Sequence, residues 1–238
     1  MEPIKYPVRL NRYLSLKGYC GRREADTFIE RGLVKINGKA AKLGQKVLEN
    51  DKVEVLGKLK RLEETYAYYI FNKPVDIVVE EPQGKEVSVK DIFPTKEEVV
   101  PVGRLDKDSE GLMLLTNDKR VIKKVTEPQY DHEKEYVVTV DKPVTQTFLN
   151  RIAKGIDIEG YFTKPAKSEK LDERVFSIVL TEGKKHQIRR MCAAGGYQVR
   201  KLRRTRIMHL KLGGLKKGEG RPLTDFERNV LLKSAGLV

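Results

Sequence analysis

The feature that most constrains this chain is a change of texture across residues 57–65, a Lys/Glu-rich stretch between two differently patterned regions. Before it, residues 8–31 read as two helices. Val8, Leu10, Tyr13 and Leu14 have helical spacing, Gly18 and Gly21 interrupt it, and Ala25, Phe28 and Ile29 resume it. Residues 33–40 then read as strand, Asn37-Gly38 turn and strand, and residues 51–55 as a further alternating strand. A unit of about 60 residues is small but can fold alone. The expected division is therefore a small domain over 1–60 and a larger one over 61–238, with 57–65 as the linker.

From Tyr66 onward strands dominate: residues 66–71, Ile77-Val78-Val79, 111–116, 135–140 and 175–180. Helical patterns fall at 119–126, 144–154, 184–194 and 224–235. That mixture predicts an α+β domain built on a mostly antiparallel mixed sheet.

The formal net charge is +14, and its distribution matters more than its size. Residues 1–62 carry 15 Lys and Arg against 7 Asp and Glu, and residues 183–221 carry 13 against 1. The stretch 63–182 between them has 18 against 24. Two basic blocks on a mildly acidic scaffold suit one polyanion held at two surfaces, since each neutralised phosphate releases counterions. A basic membrane-surface protein would need a long amphipathic helix with bulky apolar residues opposite its charges, and neither block offers one. No apolar run approaches the roughly 20 residues of a membrane span. Cys20 and Cys192 form no paired motif and His132, His186 and His209 are scattered, so reduced thiols and no metal site are expected. The start of the chain lacks the apolar core of a signal peptide, and a cytoplasmic location is expected.

Within the larger region, Asp106 sits in a short polar cluster followed at once by Leu112-Met113-Leu114-Leu115. A reactive carboxylate on a loop, anchored to a buried strand, has this pattern; so does a solvated turn. In the first basic block, Arg9 and Arg12 lie at i, i+3, while Arg22 and Arg23 open a helix whose N-terminal amides can join them in holding a phosphate. In the second, Lys184, Lys185 and Arg190 read as phosphate contacts or a solvated face. Gln187 and Met191 share one helical face, and Arg189 points elsewhere, free to pair with and orient the Asp106 carboxylate.

Two resemblances bear on these residues. Arg9-Leu10-Asn11-Arg12-Tyr13-Leu14, Gly21-Arg22-Arg23-Glu24-Ala25 and Gly32-Leu33-Val34-Lys35-Ile36-Asn37-Gly38 resemble the small RNA-binding domain named after ribosomal protein S-four. That likeness implies a grip on structured RNA through shape and phosphates, with Arg9, Arg12, Arg22, Arg23 and Lys35 as contacts. Further along, Asn72-Lys73-Pro74, Gly103-Arg104-Leu105-Asp106 with Ser109-Glu110-Gly111-Leu112, Glu133-Lys134-Glu135-Tyr136, Gly183 to Met191, and Gly196 to Ile207 occur in order. Together they resemble the pseudouridine synthases, in the branch that modifies ribosomal RNA and carries an S-four-type domain at its N-terminus.

The second resemblance implies a pseudouridine synthase fold and a catalytic Asp106. It makes Tyr136 the aromatic that stacks on the target base and Arg189 the basic partner of the aspartate. Leu202 or Ile207 would form an apolar wall, and Arg104, Lys184, Lys185, Arg190 and Arg203 would contact RNA. Nothing enters or leaves when uridine becomes pseudouridine, so no cofactor is implied. Arg203-Arg204-Thr205-Arg206-Ile207-Met208 leans toward the large-subunit (23S) ribosomal RNA enzymes, and a chain with two RNA-facing domains is expected by default to act as a monomer. Small-subunit ribosomal RNA, a transfer RNA stem-loop, or a non-catalytic ribosome-assembly role are the alternatives. Asp76, where Gly is common, and His209, where a smaller polar residue is expected, depart from the pattern.

Overall fold

A computed structural model of the chain describes residues 4–56 and 66–237, with the backbone alone at Arg23 and Pro128. The expected linker at 57–65 and the side chain of Arg23 therefore lie outside the described residues. The chain divides into two compact units, Met1–Thr65 and Tyr66–Val238.

The first unit contains β1 (Val8–Arg9), α1 (Leu10–Leu16), α2 (Arg22–Glu30), β2 (Val34–Ile36), β3 (Lys39–Ala40), β4 (Lys46–Val47) and β5 (Val53–Val55). Helix α1 ends where Gly18 takes a φ of +74°, a left-handed turn that glycine adopts without strain. The two helices are tied by Asn11 Nδ2, which donates to Asp26 Oδ1 at 3.0 Å. The hairpin turn falls on Asn37 and Gly38, with φ of 52° and 77°, joining Ile36 to Lys39 in register. Two left-handed central residues match the right-handed twist of the flanking strands, which is why Asn-Gly is favoured there. Leu10, Leu14, Ala25, Ile29, Val34 and Val47 close the core. Arg9, Arg12 and Arg22 are exposed and Lys35 half-buried, and among the described residues no carboxylate pairs with any of the four.

The second unit is built on one mixed sheet. In chain order its elements are β6 (Tyr68–Lys73), α3 (Val89–Ile92), β7 (Val100–Pro101), β8 (Glu110–Thr116), α4 (Lys119–Thr126), β9 (Lys134–Val140), α5 (Gln146–Lys154), β10 (Lys167–Asp172), β11 (Val175–Leu180), α6 (Gln187–Ala194), β12 (Val199–Ile207), β13 (Leu210–Lys211), β14 (Gly220–Pro222) and α7 (Asp225–Ser234). The strand order is β10-β11-β9-β12-β8-β6-β14, with β13 on β12 and β7 on β8. Every pairing is antiparallel except β12 with β8. Strand β8 is buried on both faces, so its side chains read as a continuous apolar run. Leu112 and Leu114 enter one core with Val121, Ile207 and Leu231, while Met113 and Leu115 enter another with Phe71 and Leu105. A third core joins β9 and β11 to α5 and α6 through Val138, Phe176, Phe148 and Met191. No helix of the described residues is long and apolar enough to cross a membrane.

Three local expectations differ from the structure. Ile77-Val78-Val79 forms only a single bridge, Val78 to Ser88, because left-handed Asp76 (φ 65°) and Glu81 (φ 52°) bend the chain on either side. Helix α6 starts at Gln187 rather than at 184, because His186 is itself left-handed. Residues 199–207, read only as a basic segment, form β12, the longest strand described.

The parallel strand pairing within the sheet is narrow: Arg203 opposite Glu110 and Arg204 opposite Gly111. Gly111 has a φ of +113°, and a Cβ built there would lie 2.3 Å from the Arg204 carbonyl oxygen. Only glycine permits that approach. Gly111→Ala should lose at least about 3 kcal/mol of unfolding free energy in urea titration, from backbone strain and overpacking together. Gly213→Ala, with a φ of +56° but open space around it, should lose about 1 kcal/mol.

Candidate active site

The Asp106 loop leaves β7 and returns as β8. Val102 N donates to Leu114 O at 2.8 Å, Gly103 turns with a φ of +76°, and Leu105 plugs into the core beside Phe71 and Met113. Ser109 N closes the turn on Asp106 O at 3.0 Å. Beneath the loop lies Lys73, the last residue of β6 and wholly buried. Its ammonium donates to Pro74 O and Ser109 O at 2.8 Å and to Lys107 O at 3.3 Å. Burial pushes its pKa down to about 8, with Asp108, Asp76 and Asp106 opposing the fall. The sequence reading used Lys73 only as part of a matching tripeptide; its position flush with the end of a buried strand is the signal for this clamp.

The loop forms one side of a cleft of about 650 Å³. Asp106, Arg104, Tyr136, Leu202, Lys184 and Lys185 all line it. Tyr136, half-buried on β9, packs against the core around Leu105 and the core around Met191. It sits opposite Arg204 on β12, two residues beyond Leu202. Side chains two apart on a strand share a face, and so the cleft also receives Lys134, two before Tyr136, and Arg204, two after Leu202. Sequence reasoning did not single out either one, although the period of two was there to find them.

Several expected site residues fall elsewhere. Ile207 belongs to the core with Leu112 and Leu231, so its apolar surface is used in packing and only Leu202 reaches the cleft. Arg190 is bound to Glu159 at 2.9 Å and to Ile158 O at 2.6 Å. Arg203 is half-buried on β12 and is absent from the cleft wall.

The ion pair expected between Arg189 and Asp106 is not formed. Arg189 Nη2 meets Asp108 Oδ2 at 2.8 Å and Asp108 O at 3.2 Å, and approaches Ser109 Oγ at 3.4 Å. From α6 it reaches the back of the turn, two residues past Asp106. Among the described residues, the basic group within 4 Å of the Asp106 carboxylate is instead His186 Nε2, at 3.6 Å from Oδ1. His186 owes that position to its left-handed backbone, φ 53° and ψ 29°, at the start of α6.

The loop carrying His186 is shaped by buried Glu182. Its Oε1 accepts from Gln187 Nε2 at 2.7 Å and Lys164 N at 3.0 Å, and its Oε2 from the Tyr161 hydroxyl at 2.6 Å. Gln187 Oε1 in turn accepts from Lys184 N at 2.9 Å. Among the described residues there is no group of three His, Cys, Asp or Glu side chains arranged to hold a metal ion.

A loop carboxylate at a cleft with an aromatic wall and a basic rim is suited to a single extruded base of a nucleic acid. Comparison with known proteins agrees. The profile described as RNA pseudouridylate synthase matches residues 67–194, and that of the S4 domain matches residues 8–53. The chain belongs to the RNA pseudouridine synthase family, whose members are isomerases. It is 46% identical over 228 residues to the dual-specificity RNA pseudouridine synthase RluF of Escherichia coli K12, covering 95% of this chain and 79% of that protein. To the ribosomal large subunit pseudouridine synthase B of Bacillus subtilis it is 36% identical, over 92% of this chain and 93% of that one. A crystal structure of a pseudouridylate synthase superposes with a TM-score of 0.69 at 33% identity, covering 94% of this chain and 99% of that one.

Lys134 provides a pH test of this geometry. Burial, and then the neighbouring Arg204, push its ammonium down to about 8. The unfolded chain therefore holds more protons than the folded one between about pH 8 and the ordinary lysine value near 10.4. The charge opposes folding fully below pH 8, and that opposition is lost as pH rises through the window. Lys134→Met should be more stable than the parent at pH 7, with the difference shrinking toward pH 10.5 in paired urea titrations. A difference that stays constant with pH would refute the buried charge.

Proposed function

We propose that the chain converts a uridine of ribosomal RNA, of the large subunit, to pseudouridine, with Asp106 as the catalytic carboxylate. The observation that carries this reading is the presentation of Asp106 on a clamped loop at a cleft whose other wall holds Tyr136 and Leu202. The names of the two relatives, one a dual-specificity RNA enzyme and one a large-subunit enzyme, support the choice of target.

The chemistry breaks the N1–C1′ glycosidic bond, turns the uracil, and rejoins it through C5. All atoms of uridine reappear in the product, so the reaction calls for no cofactor. The base is drawn out of its stack and lies against Tyr136, with Leu202 as the apolar wall. Asp106 acts on the ribose, either as nucleophile at C1′ or as base at C2′, and both routes need the ionised carboxylate. Arg189 serves through the turn: by holding Asp108 and Ser109 it fixes the backbone that carries Asp106. Arg104, Lys184 and Lys185 at the exposed rim contact RNA phosphates. The domain over residues 1–60 grips structured RNA through Arg9, Arg12, Arg22, Arg23 and Lys35. The protein acts as a cytoplasmic monomer in this reading.

Asp106→Asn should reduce pseudouridine formation in total ribosomal RNA by at least about 10³-fold while leaving RNA affinity near that of the parent. Mapping pseudouridines in RNA from cells with and without the protein identifies the uridine. Undiminished turnover by Asp106→Asn would remove the carboxylate from the mechanism and favour a non-catalytic assembly role. In binding assays, the logarithm of the association constant should fall steeply with the logarithm of salt concentration, and Arg9→Ala with Arg12→Ala should flatten that slope by roughly 2.

A further inference from the structure

The floor of the cleft carries positive charge that the protein does not neutralise. Arg204 is 2% exposed. Its Nε donates to Leu112 O at 2.7 Å and its Nη1 reaches Arg104 O at 3.4 Å, but its buried Nη2 has no partner. Lys134 Nζ has one acceptor, His132 O at 3.3 Å. The Nε2 of His132, which also lines the cleft, is buried without a partner. Among the described residues no carboxylate pairs with Lys134 or Arg204. The buried carboxylate in the same cleft, Glu182, is already saturated by Tyr161, Gln187 and the Lys164 amide.

A buried guanidinium beside a half-buried ammonium, neither with a carboxylate partner among the described residues, is costly in the free protein. Such an arrangement is stable in function only when an anionic or strongly accepting group arrives. The polyanionic backbone is served elsewhere, by Arg104, Lys184 and Lys185, which are exposed where phosphates keep their water. What descends below that rim is the extruded base.

We propose that Lys134 and Arg204 are catalytic residues that bind the uracil oxygens and stabilise the negative charge on the base once it is detached. This rests on the reading of the cleft as the uridine site. When N1–C1′ breaks, its electron pair leaves with the uracil and is shared by N1, O2 and O4. The ribose is balanced by the Asp106 carboxylate, which either bonds to C1′ or takes the C2′ proton. After the base turns, C5 bonds to C1′ as the Asp106–C1′ ester bond breaks or as Asp106 returns the C2′ proton; the C5 proton is lost and N1 gains one, so the product is an isomer of the substrate and Asp106 is free again. Fixed donors aimed at charge that develops only as the bond breaks lower the barrier without tightening substrate binding.

The test uses the full chain and a stem-loop RNA around the mapped uridine, made with uridine or with 5-fluorouridine at that position. Fluorine makes the detached base a weaker anion to stabilise, so the enzyme's own donors matter less. Single-turnover consumption of the target nucleoside is measured alongside RNA affinity. Lys134→Met should slow uridine consumption about 10²-fold and 5-fluorouridine consumption by only about tenfold, with affinity changed less than about threefold. Lys134→Arg should recover most of the rate, and Arg204→Lys should show the same substrate dependence as Lys134→Met. Should Lys134→Met melt below the assay temperature, Lys134→Gln repeats the comparison. Equal slowing on both RNAs, an unchanged rate, or a loss of affinity with a normal rate at saturation (the mark of a phosphate contact) each overturns the proposal. Asp106→Asn in the same assay separates the two claims: inactivity there with normal Lys134→Met turnover leaves the uridine site standing and removes the floor charges from catalysis.

Discussion

The parallel contact between β8 and β12 is the constraint on which the rest of the catalytic unit depends. On one side of it, β6, β7 and β8 carry the clamped Asp106 loop. On the other, β9, β11 and β12 carry Tyr136, Leu202, Lys134 and Arg204. Only Arg203 with Glu110 and Arg204 with Gly111 register across that seam. The missing Cβ at Gly111 lets the two backbones meet, and the Arg204 side chain then crosses to Leu112 O and strengthens the join. One residue thus welds the two halves of the sheet and faces the cleft they form. Parallel pairs are slightly weaker per residue than antiparallel ones, and here the seam is reinforced by a buried guanidinium.

The electrostatics follow from the same placement. Lys73, Lys134 and Arg204 stand near one another; Asp108, Asp76 and Asp106 answer Lys73, while among the described residues no carboxylate pairs with Lys134 or Arg204. The two lysines are pushed down by burial, and the Arg204 charge lowers both further. Lys73 offsets its burial with three carbonyl oxygens; among the described residues Lys134 has one acceptor, His132 O, and the buried Arg204 Nη2 has none. The cleft is therefore graded, with exposed Arg104, Lys184 and Lys185 alongside exposed Glu80 and Glu81, then Asp106 beside His186, and deeper cations without carboxylate partners among the described residues. Such a gradient suits a ligand whose backbone stays wet while one base goes dry.

Much of this was legible in the sequence where periodicity and special residues dominate. Asn37-Gly38 reads as a tight hairpin turn, and the run Leu112 to Leu115 as a buried strand; burial on both faces is what the structure adds. Helices over 119–126 and 224–235 followed from apolar spacing and lie within a residue or so of α4 and α7. What escaped depends on contacts between distant residues. Strand β12 hid behind its arginines, because Arg204 is buried by tertiary packing that no local window contains. The start of α6 was placed three residues early because nothing local reveals that His186 is left-handed. The Arg189 pairing was assigned to the wrong carboxylate of the loop, since Asp106 and Asp108 are two residues apart and only the path of α6 decides between them.

The clamp under the active loop speaks only to main-chain atoms. Lys73 grips the carbonyls of Pro74, Lys107 and Ser109, and Asp76 N adds a further bond to Lys107 O. Every residue type offers those carbonyls, so the grip makes no demand on the side chain at position 107. The loop can therefore exchange that outward-facing chemistry over evolutionary time while its geometry stays put. The present Lys107 sets its ammonium on Glu86 at 2.8 Å, so exchange at that position alters a surface ion pair and leaves untouched the carbonyls that hold the Asp106 turn.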